Sequence, residues 1–341
     1  KLKNEFQAPY YEEIDFFSKQ YLKMNMLSLN LNNTVNPNLI REQISSDKKK
    51  IIHIMLKLIC LKIPESPVDS HIKHIISKND KDLPYILEFI DTSFEKRIRD
   101  IIIPIIDPEE NFSKESLKHK KIRIDIDSFL LDWIESGNNW KISIALDYIL
   151  KNKNQIINQI QWDKVPSNPI ISEILDNQDN LNNLIPIKKY KTKKEPTMFS
   201  ILEKTMLLKT VDLFQDIPSE LLSQISQISK AKDYESGEVI FNEGDYGDSM
   251  FIVIEGEVSI QKNGKSIALL DKGSSLGEMA ILDNETRSAD ATAKIDSVLL
   301  KINQDVFYEL MEGNADIMKQ IIRLLTSRIR DANSKLEKTL G

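Results

Sequence analysis

The stretch LGEMAILDNETRSADATA, Leu276 to Ala293, decides how this chain is read. It sets a carboxylate, Glu278, directly after Gly277 and a guanidinium, Arg287, nine residues later. Glycine lets backbone approach a ligand closely, and the free N–H groups of a following turn can accept an anion. The intervening Met279 to Asp283 is apolar enough to form one turn of buried helix. Arg287 can make forked, charge-assisted contacts to phosphate oxygens. Glu278, an acceptor when ionised, would repel a bare phosphate and suits a sugar hydroxyl. One anion binder and one hydroxyl binder a short turn apart describe a pocket for a phosphorylated ribose.

The sequence on either side reads as β-structure. Val239 to Phe241 and Met250 to Ile254 have strand composition, and EVSIQKNGKSIALL, 257–270, reads as a hairpin. Its turn is Asn263-Gly264, the pair that best tolerates positive φ in a two-residue turn. Val258 and Ile260 are expected to answer Ile267 and Leu269 as inward-facing residues. After the quoted stretch, ATAKID and SVLLKI supply closing strands. Asn303 is placed to cap a short helix, and Asn314 to open a longer one through Lys335 with Ile317, Ile321, Leu324, Leu325 and Ile329 on one face.

These residues resemble the phosphate-binding cassette of cyclic nucleotide-binding domains, whose pattern is F-G-E-x-A-x-x followed by R-[AST]-A. Gly277, Glu278, Ala280, Arg287 and Ala289 fall on it. Upstream, Leu213-Phe214 and Ile217-Pro218 look like the family's entry helix and turn. Gly237, Gly244, Asp245 and Gly256 stand where its first strands require them. The resemblance implies an eight-stranded antiparallel, jelly-roll-like β-roll with flanking helices. It further implies a ligand-binding set of Gly277, Glu278, Met279, Ala280, Arg287, Ser288 and Ala289, with cAMP or, less favoured, cGMP as ligand. Leu276 replaces the usual Phe. Asp290 stands where a small or hydroxyl residue is usual and is expected to oppose the phosphate. Ser288 follows the arginine, where a hydroxyl is associated with cGMP.

Glycine usage divides the molecule. Of ten glycines only Gly137 precedes Gly237, so the first two-thirds, rich in Leu, Ile and Lys, read as all-α. Expected helices cover one segment in the first forty-odd residues, then Asp47–Ile63, Asp69–Ser77, a hairpin over 83–107, Ser116–Ser136 and Asn138–Lys151. Short helices joined by tight turns suggest HEAT-like stacking, with an ordinary bundle as the alternative. The expected organisation is an α+β multidomain chain. It comprises an N-terminal helical extension, 1–46; a HEAT-like helical domain, 47–184; a Pro- and Lys-rich linker, 185–200; and the cyclic nucleotide-binding domain, 201–341.

At 341 residues the chain can bury two cores, and a net charge of −6 gives no reason to expect nucleic-acid binding. The runs Lys48 to Lys50, Lys118 to Lys121 and Lys188 to Lys194 read as solvated faces. The single cysteine, Cys60, cannot form an intrachain disulfide and fits a reducing, cytoplasmic setting. The most apolar run, Ile51 to Ile63, falls short of the ~20 residues of a membrane span. His71 and His74 share a helical spacing without an acid or thiol partner, so no metal site is expected. Trp133, Trp140 and Trp162 read as core anchors. No catalytic set is present, and the chain is expected not to be an enzyme.

The leading expectation is therefore a ligand-sensing regulator, the alternative a protein-interaction scaffold with an inert roll. The junction ILEKTMLLKTVDLF, 201–214, and the segment VFYELMEGNADIMKQIIRLLTSRIR, 306–330, are similar to soluble tails of bacterial ATP/ADP translocase-like fusion proteins. With a first residue of Lys rather than Met, this resemblance implies part of a larger membrane protein, with a protein partner on the helical domain.

Overall fold

The computed structural model describes residues 7–31, 38–62, 83–107, 125–152, 154–176, 198–211, 214–215, 217–279 and 286–313, with single helical positions at 318, 322, 326 and 330. The chain divides into two compact units, Lys1–Val165 and Pro166–Gly341. Among the described residues no helix is long and apolar enough to cross a membrane.

The first unit is helical, with α1 Gln7–Asn30, α2 Asn38–Lys62, α3 Leu83–Ser93, α4 Lys96–Ile106, α5 Ile126–Ile134 and α6 Asn139–Asn152. The single early helix and the 83–107 hairpin are present as expected. Helix α2 begins earlier than the sequence suggested, because the apolar spacing Ile40, Ile44, Ile51, Met55, Ile59 continues unbroken through position 46. The expected helix 69–77 and the first part of 116–136 lie outside the described residues. Ile14, Ile51, Met55, Ile59, Ile86, Ile98 and Ile102 from α1 to α4 bury one shared core. Trp133 and Trp140 are buried as anchors, while Trp162 is only half-buried. Asp47, itself buried, is ion-paired to Lys141 at 2.6 Å and accepts from Gln43 at 2.9 Å, which meets its need for partners away from water.

The second unit begins upstream of the 185–200 segment, of which only 198–200 is described. Helix α7, Pro169–Asp176, groups with it, and Glu173 accepts the Ile201 N–H at 2.8 Å. Helix α8, Ile201–Lys209, opens on a reciprocal capping box between Ser200 and Glu203. Helix α9, Ser219–Ile228, follows the tight turns that bury Phe214 and Ile217. Strands β1 Lys230–Tyr234, β2 Val239–Phe241, β3 Ser249–Glu255, β4 Val258–Lys262, β5 Lys265–Leu270, β6 Ser275–Leu276, β7 Asp290–Ala293 and β8 Ser297–Asn303 come next, then α10 Gln304–Gly313. The expected longer helix 314–335 lies outside the described residues except at the four helical positions.

The strands form two antiparallel four-stranded sheets, ordered β1-β8-β3-β6 and β2-β7-β4-β5. The alternating side chains of β3 explain how three layers stack. Met250, Ile252 and Ile254 join Leu300 and Ile302 against Leu208, Phe214, Leu222, Ile225 and Phe307 of the helices. Phe251 and Val253 turn the other way, with Leu299, onto Val258, Ala291 and Ala293 of the second sheet. The first sheet is thus covered on both faces along β3 and β8 and is here called the inner sheet; the second is the outer sheet.

The hairpin turn is as expected, with Asn263 at φ 52° and Gly264 at φ 72°. Its register is not. Lys262 pairs with Lys265 and Gln261 with Ser266, but a bulge then sets Ile260 opposite Ala268 and Val258 opposite Leu270. The extra residue reverses the parity of β5, so Ala268 and Leu270 rather than Ile267 and Leu269 answer Ile260 and Val258. Ile267 and Leu269, expected to face inward, are 61% and 48% exposed on a strand exposed along most of its length.

Candidate functional site

The arginine of the quoted stretch is held first by its backbone. The turn after β2 is closed by Asp245, whose carboxylate accepts the Asn242 N–H at 2.7 Å. Gly244, at φ 82°, then donates to the Arg287 carbonyl at 2.8 Å, and the Asp245 carbonyl accepts the Arg287 N–H at 2.8 Å. Tyr246 and Thr286 form an antiparallel bridge beside this clasp. Gly244 and Asp245, noticed in the sequence only as pattern positions, therefore act on Arg287 directly.

The Arg287 side chain is 6% exposed. Its Nη1 donates to the Gly277 carbonyl at 3.2 Å and its Nη2 to the Ser249 carbonyl at 2.7 Å. Its Cζ lies 4.3 Å from the centre of the Phe241 ring and 5.9 Å from that of Phe251. Nε is buried without a partner. Burial pulls the guanidinium below its ordinary pKa, while the Asp248, Asp245 and Glu278 carboxylates pull it back up. Gly277 sits at φ 74°, and a Cβ there would overlap Arg287 Nη1. Glycine at 277 is thus required twice, by its backbone angle and by the arginine beside it.

Phe241, Ile260, Ser275, Gly277, Glu278, Met279, Thr286, Arg287, Ser288 and Ala289 line a pocket of about 180 Å³. Six of the seven residues expected from the sequence meet there; the seventh, Ala280, lies outside the described residues. Glu278 is half-buried and Ser288 exposed, whereas Ala289 is buried. Met279, expected within a buried turn, is 57% exposed and forms part of the wall. Asp290, expected to oppose the phosphate, has its carboxylate on the Glu243 N–H at 2.7 Å and is not among the lining groups. Phe241, Ile260, Ser275 and Thr286 were not singled out as site residues. Thr286, next to the arginine, and Ser275, two residues before Gly277, are local to the cassette; Phe241 and Ile260 arrive through strand pairing. Among the described residues no group of His, Cys, Asp and Glu is placed to hold a metal ion.

A guanidinium buried behind a glycine, with a carboxylate at the same mouth, can bind an anion and a hydroxyl donor together. Residues 231–314 match the family model of the cyclic nucleotide-binding domain. The second unit thus carries a cyclic nucleotide-binding regulatory domain, related to those of kinase regulatory subunits and CRP-like regulators. A cAMP-dependent protein kinase regulatory subunit of Schizosaccharomyces pombe is 27% identical over 121 residues, 35% of this chain and 28% of the relative. A cGMP-dependent protein kinase of Toxoplasma gondii is 30% identical over 135 residues, 39% of this chain and 13% of the relative. A CRP-like cAMP-activated global transcriptional regulator of Mycobacterium tuberculosis is 26% identical over 135 residues, 38% of this chain and 60% of the relative. The chain spans less than two thirds of each, and the similarity is to the cyclic nucleotide-binding domain.

Proposed function

We propose that the cyclic nucleotide-binding domain senses cAMP in preference to cGMP, with Arg287 on the cyclic phosphate and Glu278 on the ribose 2′-hydroxyl. The observation that carries this reading is the buried Arg287 guanidinium in one pocket with Glu278, beside a Gly277 at φ 74° where a Cβ would displace Arg287 Nη1. The cAMP-dependent and cAMP-activated relatives support the base preference. The Toxoplasma relative and the Ser288 hydroxyl favour cGMP. On this reading the chain works in the cytoplasm as a ligand-driven switch with no catalysis of its own. Occupancy is relayed past Leu207 and Phe214 to the HEAT-like helical unit, or to an attached membrane transporter. A ligand shifts such an equilibrium only by its differential affinity for the two states.

Calorimetric titration with cAMP and with cGMP tests the reading. Binding is expected for both, tighter for cAMP, and Arg287→Ala is expected to weaken it by about 1.5–3 kcal/mol, the range for hydrogen bonds to charged groups. Hydrogen exchange on the same samples should slow around Leu207 as well as around Gly277. No heat with either nucleotide at millimolar concentration would leave the scaffold reading in its place. Protection confined to the pocket would remove the relay.

A further inference from the structure

Phe241 stands at the end of β2, opposite Ala291 of β7, across a register shift between Val239 and Phe241. Its ring packs 6.1 Å from that of Phe251 and forms one wall of the pocket. The Arg287 guanidinium lies over its face at 4.3 Å, close enough for the ring quadrupole to attract the charge. The side-chain hydrogen bonds of Arg287, to the Gly277 carbonyl and to the carbonyl and hydroxyl of Ser249, all use its two terminal nitrogens. Bonds to those nitrogens, with the covalent tether of the third nitrogen to Cδ, set the plane of the guanidinium, and the Phe241 ring face packs against that plane. The third nitrogen, Nε, is buried without a partner, which is costly for a charged donor.

We propose that Phe241 is a positioning residue for anion binding: its ring holds the plane of the Arg287 guanidinium so that the unpaired Nε–H is kept for a ligand phosphate. The effect on ligand rests on the nucleotide-binding reading above; the effect on the arginine does not. Phe241→Leu keeps an apolar side chain and removes the ring, whereas Phe241→Tyr keeps the face and serves as the conservative rescue.

The Arg287 Nε–H resonance of the ligand-free protein, assigned by its loss in Arg287→Lys, reads the arginine directly. In the wild-type protein and in Phe241→Tyr it is expected to be ring-shifted and slow to exchange with water. In Phe241→Leu it is expected to move to the position of exposed arginines and to exchange faster. An unchanged resonance in a folded Phe241→Leu overturns the proposal. Should that variant fail to fold, Phe241→Met is held to the same criterion. In the second arm, cAMP affinity falls roughly tenfold in Phe241→Leu, as expected for a desolvated cation–π contact, and stays within about twofold in Phe241→Tyr. Equal affinity of Phe241→Leu and wild type also overturns it. A wild-type protein that binds no nucleotide, with the resonance still shifted by Phe241→Leu, defeats the nucleotide reading and leaves the ring–guanidinium coupling standing.

Discussion

The two sheets of the roll have four strands each and opposite duties. In the inner sheet β3 is buried from Ser249 to Ile254, and Leu300 and Ile302 of β8 are fully enclosed. In the outer sheet β5 is exposed along most of its length, and β2 ends at the pocket wall. The inner sheet lies between the helices and the outer sheet, so both of its faces lose water. The outer sheet has one covered face, from which Phe241 and Ile260 line the pocket, and turns the other to solvent. Hydrophobic burial scales with the apolar area removed from water, so stability should concentrate in the inner sheet. The site is then built where less packing energy is at stake, yet Arg287 borrows its anchor, the Ser249 carbonyl, from the inner sheet.

Truncating the centre of the inner sheet should give the largest response. Leu300→Ala removes a fully buried side chain and is expected to cost about 3 kcal/mol, within the range for buried Leu truncations, read by urea denaturation. A loss below about 1 kcal/mol would mean that the inner sheet does not carry the roll.

The join between the sheets comes next. Gly256, between β3 and β4, sits at φ 91°, and a Cβ there would overlap Ser297 Oγ and the Asp296 carbonyl. Gly256→Ala is expected to cost about 2 kcal/mol by the same measurement, from the left-handed backbone and the overlap together. Stability equal to wild type would show that this crossing yields more easily than the close contact implies.

The smallest effect is expected on the outer sheet. Leu269→Ser, at an exposed position of β5, should change stability by less than about 0.5 kcal/mol. A larger loss would indicate that Leu269 faces inward after all, as the unbulged hairpin would place it. Thermal melts of this variant beside Leu300→Ala sharpen the contrast between the sheets.

Local pattern made much of the fold legible. The strand composition of β3, the Asn263-Gly264 turn and the glycine-poor helical segments are properties of near neighbours along the chain, and each appears as read among the described residues. Strands β1 and β6 were not legible: Lys230–Tyr234 carries mostly exposed polar residues, and Ser275–Leu276 is two residues long. For the site, the cassette residues were visible because they lie within one short segment. Phe241 and Ile260 were not, because each is brought in by strand pairing rather than by adjacency.

The sequence by itself determined that residues 276–293 pair a glycine-backed carboxylate with an arginine, and that strands flank them. Composition and short-range periodicity are enough for that, since they act through covalent neighbours. Only the tertiary structure decided that Arg287 is buried on the carbonyls of Gly277 and Ser249, 10 and 38 residues away, and roofed by Phe241. It alone decided that Asp290 turns to the Glu243 amide and that Ile267 and Leu269 face outward. One bulged residue inverts a whole strand's faces, and no local pattern records where the pairing will slip.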